Sequence, residues 1–264
     1  MDDARQPVSV VIPARFGSSR FPGKPLAKLL GKPLIQHVYE RARASSAADQ
    51  VLVATDDPRI EEAVKGFGGQ VVMTASALRT GTDRVAAVAR QWPGTVFVNL
   101  QGDEILLHPD LLSDLTIPFL RSGAAMGTLR RRLASSEELR NPGVVKVVTD
   151  REGRALYFSR APIPYLRDQA AGTVAAGLHS VHLGIYIYTR ETLDRLATLP
   201  TGPLEEAEKL EQLRALEHGI CLRVWETVHP TLRIDTPTDL EEAAARLQRR
   251  ESPGRLEPSV KGSA

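Results

Sequence analysis

Short apolar runs rich in β-branched residues recur through the first part of the chain, and stretches with helical spacing separate them. Residues 8–13 (VSVVIP), 51–55 (VLVAT), 70–74 (QVVMT) and 95–100 (TVFVNL) read as buried strands. After the first of them, Leu34, Ile35, Val38, Tyr39 and Ala42 fall on one face of a helix. Pro58 suits the first turn of a second helix over 59–65, ended by Gly66, and residues 81–90 supply a third. Buried strands alternating with helices predict a parallel sheet covered on both faces.

The pattern then changes. Residues 126–132, 144–149, 155–159 and 182–189 read as strands with few clear helices between them, an antiparallel arm inserted at about 126–190. Helices over 204–217 and 237–249 follow, with a strand at 220–227 between them. Residues 168–177 are small and polar, as in a surface loop. The expected organisation is an extension at 1–7, one α/β domain over 8–247 and a frayed, flexible tail at 248–264, where Pro, Gly, Ser and charge accumulate. No repeat of solenoid period interrupts this order.

Composition narrows the function classes. The 264 residues are 42% hydrophobic, too apolar for a disordered chain. Lys and Arg number 34 against 32 Asp and Glu, so the net charge of +2 is no nucleic-acid footprint. Two Trp, five Tyr and six Phe are too few for a base-stacking platform. The single cysteine, Cys221, forms no intrachain disulfide and points to a reducing compartment. The acidic start (Asp2, Asp3) is unlike a signal peptide, and no run approaches the roughly 20 apolar residues of a membrane span. A cytoplasmic protein with neither nucleic acid nor membrane as partner is expected.

Candidate chemistry lies beyond the carboxyl ends of the strands, where open α/β sheets bind ligands. The first such loop, residues 15–26 (RFGSSRFPGKPL), carries Arg15, Arg20 and Lys24 with Gly17, Ser18, Ser19 and Gly23. Cations, hydroxyls and glycine-permitted close approach suit a polyanion such as a triphosphate. It is not a Walker loop: five residues separate Gly17 from Gly23, and Pro25 follows Lys24. No GxGxxG follows the first strand, which disfavours a dinucleotide-dependent dehydrogenase. At 99–104 (NLQGDE), Asp103 sits on a glycine turn at a strand end. A carboxylate there can hold Mg²⁺ together with phosphate oxygens, with Glu104 in support, although Asp in such a turn is often only a turn residue. In 234–240 (IDTPTDL), Asp235 precedes a Thr-Pro helix start, and capping alone accounts for it locally.

Together these segments resemble the 3-deoxy-manno-octulosonate cytidylyltransferase family. The resemblance is carried, in order, by RFGSSRFPGKPL, VATDDPRI, TGTDR (80–84), NLQGDE, NPGVVKVV (141–148), ALYFSRAPIP (155–164), HLGIY (182–186), PLEEAEKLEQLRALEHG (203–219) and IDTPTDL. It implies a Rossmann-like nucleotidyltransferase fold, a mostly parallel mixed sheet with helices on both faces and an antiparallel arm used for homodimerisation. It implies a reaction of CTP, as co-substrate, with the 2-keto sugar acid 3-deoxy-D-manno-octulosonate (Kdo), in lipopolysaccharide synthesis. Arg15 and Lys24, assisted by Arg20, would then hold the triphosphate, and Asp103 and Asp235 would bind Mg²⁺. Pro13, Ala14, Thr80, Gly81 and Gln101 would read cytosine; an amide such as that of Gln101 both donates and accepts. Arg160, His182, Tyr186, Glu211 and Gln212 would face the sugar acid. By themselves Glu211 and Gln212 are equally ordinary helix-surface residues, and the even spacing of His182 and Tyr186 is as compatible with packing as with a pocket. Arg233, ahead of Ile234-Asp235, stands where the family pattern commonly has Gly; Ile105 and Ile187 also depart from it, and Arg130–Arg132 is more basic than usual. A modified Kdo or related sugar acid is the alternative substrate.

Overall fold

The computed structural model describes residues 6–17, 21–170, 172–175 and 177–251, with side chains described to residue 248. Ser18, Ser19, Arg20 and most of the expected N-terminal extension and tail lie outside these residues. In chain order the elements begin with β1 (Val8–Ala14), a 3-10 turn (Lys24–Leu26), β2 (Lys28–Leu29), β3 (Lys32–Pro33) and α1 (Leu34–Arg43). Next come β4 (Gln50–Thr55), α2 (Pro58–Gly66), β5 (Val71–Met73), α3 (Gly81–Gln91), β6 (Val96–Leu100), β7 (Glu104–Leu106) and α4 (Asp110–Ser122). The second half continues with β8 (Met126–Arg132), α5 (Ser136–Arg140), β9 (Lys146–Thr149), β10 (Ala155–Ser159), β11 (Ser180–Thr189) and α6 (Arg190–Thr198). It closes with α7 (Pro203–Glu208), α8 (Gln212–Glu217), β12 (Leu222–Glu226), β13 (Thr231–Arg233) and α9 (Pro237–Glu251). The last helix therefore runs past residue 248, where the tail was expected to begin.

Nine strands form one sheet. Its main path is β10-β9-β11-β6-β1-β4-β5, and β8 joins β11 to β12. The β-branched runs at the centre pair in parallel, β6 with β1, β1 with β4 and β4 with β5. Alternate residues of β1 face opposite sides, as a pleated strand requires. Val8, Val10 and Ile12 pack with α1, α2, α4 and α9 through Leu34, Ile35, Val38, Ile60, Leu115, Phe119 and Leu247. Val11 faces the other way, onto a layer that α3, α6 and α8 supply through Val85, Val88, Leu193 and Leu213. Helices cover both faces, as the pattern predicts.

The antiparallel segment is woven into this sheet. β11 pairs along one edge with β8, and along the other with β6 through residues 185–189 and with β9 at Val181. Within residues 126–190, the hairpin-like pair β9–β10 is what leaves the sheet centre. One expected helix, 204–217, is instead two. Lys209 adopts φ +53 between α7 and α8, and that break exposes main-chain carbonyls used below. Seven further described elements are not among those expected: the short strands β2, β3, β7 and β13, the short helices α5 and α6, and α4, which contains Pro118.

Tight packing makes some glycines irreplaceable and leaves others free. A Cβ at Gly127 on β8 would run into the Trp225 ring and lie 3.1 Å from Ile187 Cγ2, whereas one at Gly66 meets nothing within 4 Å. Gly127→Ala should therefore cost about 1–3 kcal/mol in urea denaturation. Gly66→Ala, at a helix end, should be neutral or stabilise by up to about 1 kcal/mol.

Candidate functional site

β1 and β6 lie side by side in parallel, and the crevice beyond their carboxyl ends is where an open α/β sheet binds ligands. A cleft of about 380 Å³ opens there. Pro13 and Ala14 line it from β1, Gln101, Gly102 and Asp103 from the turn after β6, and Gly81 from the start of α3. Arg15, Gly17 and Lys24 line it from the loop after β1, with Arg233 and Asp235. The packing is close. A Cβ on Gly81 would lie 3.2 Å from Gln101 Nε2 and 3.3 Å from Pro13 Cγ, and one on Gly102 would lie 2.9 Å from the Pro13 carbonyl oxygen. Glycine at both positions lets two turns press against the end of β1.

Gly23, at φ +71, turns the loop into the 3-10 turn that begins at Lys24. From there Lys24 Nζ donates to Asp103 Oδ2 at 2.5 Å and to the Ile234 carbonyl at 2.9 Å, and stands 3.6 Å from Asp235 Oδ1. Two acids remote in the chain thus face one point. Their alignment comes from a short antiparallel ladder in which β7 pairs β13, extended by Ile234 N–H donating to the Asp103 carbonyl at 3.0 Å. Two carboxylates directed at one site form the hard-oxygen donor set that Mg²⁺ takes alongside phosphate oxygens.

Arg233 Nε lies 3.2 Å from Asp235 Oδ2. The cleft walls desolvate its guanidinium, and the nearby Asp235, Asp103 and Glu104 outweigh that and raise its pKa. Glu104 is buried, and its carboxyl is pushed up to about 7, by burial first and by Asp103 and Asp235 besides. At the other side, burial and then the charge of Arg84 lower the Arg15 guanidinium, whose Nη2 donates to the Leu78 carbonyl at 2.7 Å. Arg84, fully buried, pairs with Asp56 at 3.1 Å.

A second cleft, of about 410 Å³, adjoins the first and shares Gln101, Asp103 and Arg233 with it. Arg160, His182, Tyr186, Glu211 and Gln212 all line this second space. A bulge between Leu183 and Tyr186 on β11 is satisfied by Thr128, whose hydroxyl faces the carbonyls of Leu183 and Ile185 and His182 Nε2. His182 and Tyr186 meet there with ring centroids 5.4 Å apart. Burial drops the His182 pKa to about 3, so the imidazole is neutral, and burial likewise raises the Tyr186 phenol. The break at Lys209 aims Glu211 and Gln212 at the cleft. Glu211 accepts from Thr82 Oγ1 at 2.8 Å, and Gln212 Nε2 is buried without a hydrogen-bond partner among the described residues. Desolvation between the cleft walls raises the Glu211 carboxyl.

The structure gathers most of the expected residues into these two spaces, with qualifications. Arg20 lies outside the described residues. Thr80 caps α3, its hydroxyl accepting from Asp83 N–H at 3.1 Å, and it lines a different depression, beside Arg79 and Asp83, so it does not face the first cleft. Gln101 Nε2 donates to Asn99 Oδ1 at 3.0 Å. Arg160 reaches the second cleft, yet its guanidinium is engaged by the Pro142 carbonyl and by those of Glu208 and Lys209, which the α7–α8 break leaves open. Pattern reading gave Glu104 only a supporting part and Thr82 none; the burial of the first and the second's contact with Glu211 arise from tertiary packing.

The cytidylyltransferase family model matches residues 9–228. The chain is 53% identical to a 3-deoxy-manno-octulosonate cytidylyltransferase of an Anaeromyxobacter species over 242 residues, covering 91% of this chain and 96% of that one. It is 48% identical to the protein of that name from Geobacter sulfurreducens over 248 residues, covering 91% and 99%. A solved CMP:2-keto-3-deoxy-manno-octonic acid synthetase complexed with CTP superposes with a TM-score of 0.86 at 41% identity, covering 92% of this chain and 99% of that one.

The burial of His182 sets a pH dependence. Between about pH 3 and its ordinary value of 6.5 the unfolded chain binds a proton that the folded chain refuses, so stability falls as pH falls through that window. Urea midpoints of the wild type should drop more steeply from pH 6.5 towards pH 4 than those of His182→Gln. Parallel profiles would show that this imidazole is not held neutral.

Proposed function

Since the chain belongs to the 3-deoxy-manno-octulosonate cytidylyltransferase family, we propose that it couples CTP to Kdo, giving CMP-Kdo and pyrophosphate for lipopolysaccharide synthesis. The observation that carries this reading is the junction of the two clefts at Gln101, Asp103 and Arg233. A nucleotide in the first would present its α-phosphorus to a hydroxyl in the second. The anomeric 2-hydroxyl of the sugar acid loses its proton and its oxygen attacks that phosphorus in line, while the bond to the pyrophosphate oxygen breaks.

Such a transfer needs little covalent help from the protein; positioning and charge neutralisation dominate. Arg15 and Lys24 offset the triphosphate charge. Pro13, Ala14, Gly81 and Gln101 form the wall for the base, and the Gln101 amide can pair with the cytosine edge. Asp103 and Asp235 would hold Mg²⁺, which supplies neutralisation of charge at the α-phosphate. On the sugar side, Gln212 Nε2, unpartnered among the described residues, and the neutral His182 suit hydroxyl groups. A second reading keeps the reaction and changes the acceptor to a modified Kdo; it is favoured by Arg233, a cation at the junction where the family pattern commonly has Gly.

The proposal extends to a homodimer and a cytoplasmic location. Leu156, Tyr165 and Leu178, on β10 and the segment after it, are 61%, 82% and 56% exposed, large apolar side chains that a partner copy would cover. Among the described residues no helix is long and apolar enough to cross a membrane.

Pyrophosphate release from CTP and Kdo with Mg²⁺ should fall about 10²–10³-fold in Asp103→Ala and in Lys24→Ala, with little change in melting temperature. Undiminished turnover in Asp103→Ala would overturn the assignment. Light scattering should give a dimer for the wild type and a monomer for Leu156→Glu combined with Tyr165→Glu; a monomeric wild type would refute the dimer.

A further inference from the structure

The β7–β13 ladder has an outer end as well as the inner one that sets Asp103 and Asp235. Its pairing runs Arg233↔Glu104, Leu232↔Ile105 and Thr231↔Leu106, and Leu107 N–H donates to the Pro230 carbonyl at 3.3 Å. One step further, the same register brings His108 opposite His229. Their rings stack with centroids 4.4 Å apart and planes 9° from parallel. Asp110, in the first turn of α4, places Oδ2 3.5 Å from His108 Nδ1. One ligand atom from each of His108, Asp110 and His229 lies within 4.8 Å of the others. Behind them Asp114 accepts from the Thr227 hydroxyl at 2.6 Å, and its Oδ2 stands 3.9 Å from His229 Nε2.

We propose that His108, His229 and Asp110 form a binding site for a divalent transition ion, of which Zn²⁺ is the representative, separate from the carboxylate pair at the inner end. Two imidazoles and one carboxylate are the donor set of such ions, and they leave a position for water. Mg²⁺, which demands oxygen ligands, does not compete for it. Parallel rings cannot both aim a lone pair at one ion, so binding requires His108 to turn out of the stack; its side chain and that of Asp110, 47% and 64% exposed, have solvent to turn into, and ligand atoms on a tetrahedral ion stand about 3.3 Å apart. The backbone already brings them near each other, since the register of the ladder carries on to the positions of His108 and His229. A bound ion would tie the loop after β7 to the loop before β13, the two segments whose inner ends carry Asp103 and Asp235.

The test is isothermal titration of the untagged full-length protein with ZnCl₂ in excess Mg²⁺. The wild type should bind one Zn²⁺ per chain and melt at a higher temperature with it. His108→Ala and His229→Ala should each weaken binding at least about tenfold and abolish the thermal gain, whereas Asp103→Asn should bind as the wild type does. Both histidines are solvent-accessible, so melting of the variants without zinc checks that they fold. Absence of saturable binding in the wild type, binding retained in both histidine variants, or binding lost in Asp103→Asn would overturn the proposal.

Discussion

Carboxylates aimed at a common point repel unless a cation stands between them or one of them takes up a proton. Lys24 is that cation. Its ammonium contacts Asp103 at 2.5 Å and Asp235 at 3.6 Å and donates a further hydrogen bond to the Ile234 carbonyl. The lysine comes from the loop after β1, the first acid from the turn after β6, and the second from the entry to the last helix. All three side chains are 13–22% exposed, partly desolvated but open to the cleft. That placement keeps the charges strong without the full penalty of a buried pair.

The architecture around this contact brings two spaces to one junction. The switch between β1 and β6 provides the first, with glycines where main chain meets main chain. β11 provides much of the second, because it borders β6 through one half and carries His182 through the other. The broken helix at 204–217 completes it. Without the positive φ at Lys209, a continuous helix would bond the carbonyls of Glu208 and Lys209 internally, and Arg160 would have no seat.

What the amino-acid pattern reveals follows from how far each feature depends on distant chain. The parallel core was legible because β1, β4 and β6 are continuous apolar runs and α1 to α3 carry one apolar face each. The cationic loop and the NLQGDE turn were legible because their chemistry is contiguous. α4 escaped because Pro118 interrupts its pattern, and β7 and β13 because three residues have no period to detect. The break at Lys209 is invisible locally, since the segment has good helical spacing; Ser159 of β10, which donates to the Glu208 carboxylate, and Arg160 after it, which donates to the Glu208 and Lys209 carbonyls, stabilise it. Asp235 read alone is an ordinary capping residue, and only the collinear resemblance raised it, while its approach to Lys24 is a property of the ladder. Thr80 shows the converse: its hydroxyl caps α3 by accepting from Asp83 N–H, and its side chain lines a depression beside Arg79 and Asp83.

The convergence of the two acids is tested most directly by a double-mutant cycle on kcat/KM with Asp103→Asn, Asp235→Asn and the pair together. If both carboxylates serve one ion and one cation network, the double variant will lose little more than the worse single variant, because either substitution already dismantles the unit. Losses that multiply, each substitution costing the same factor whether or not the other is present, would mean that the two acids act at separate places, and the account would fail.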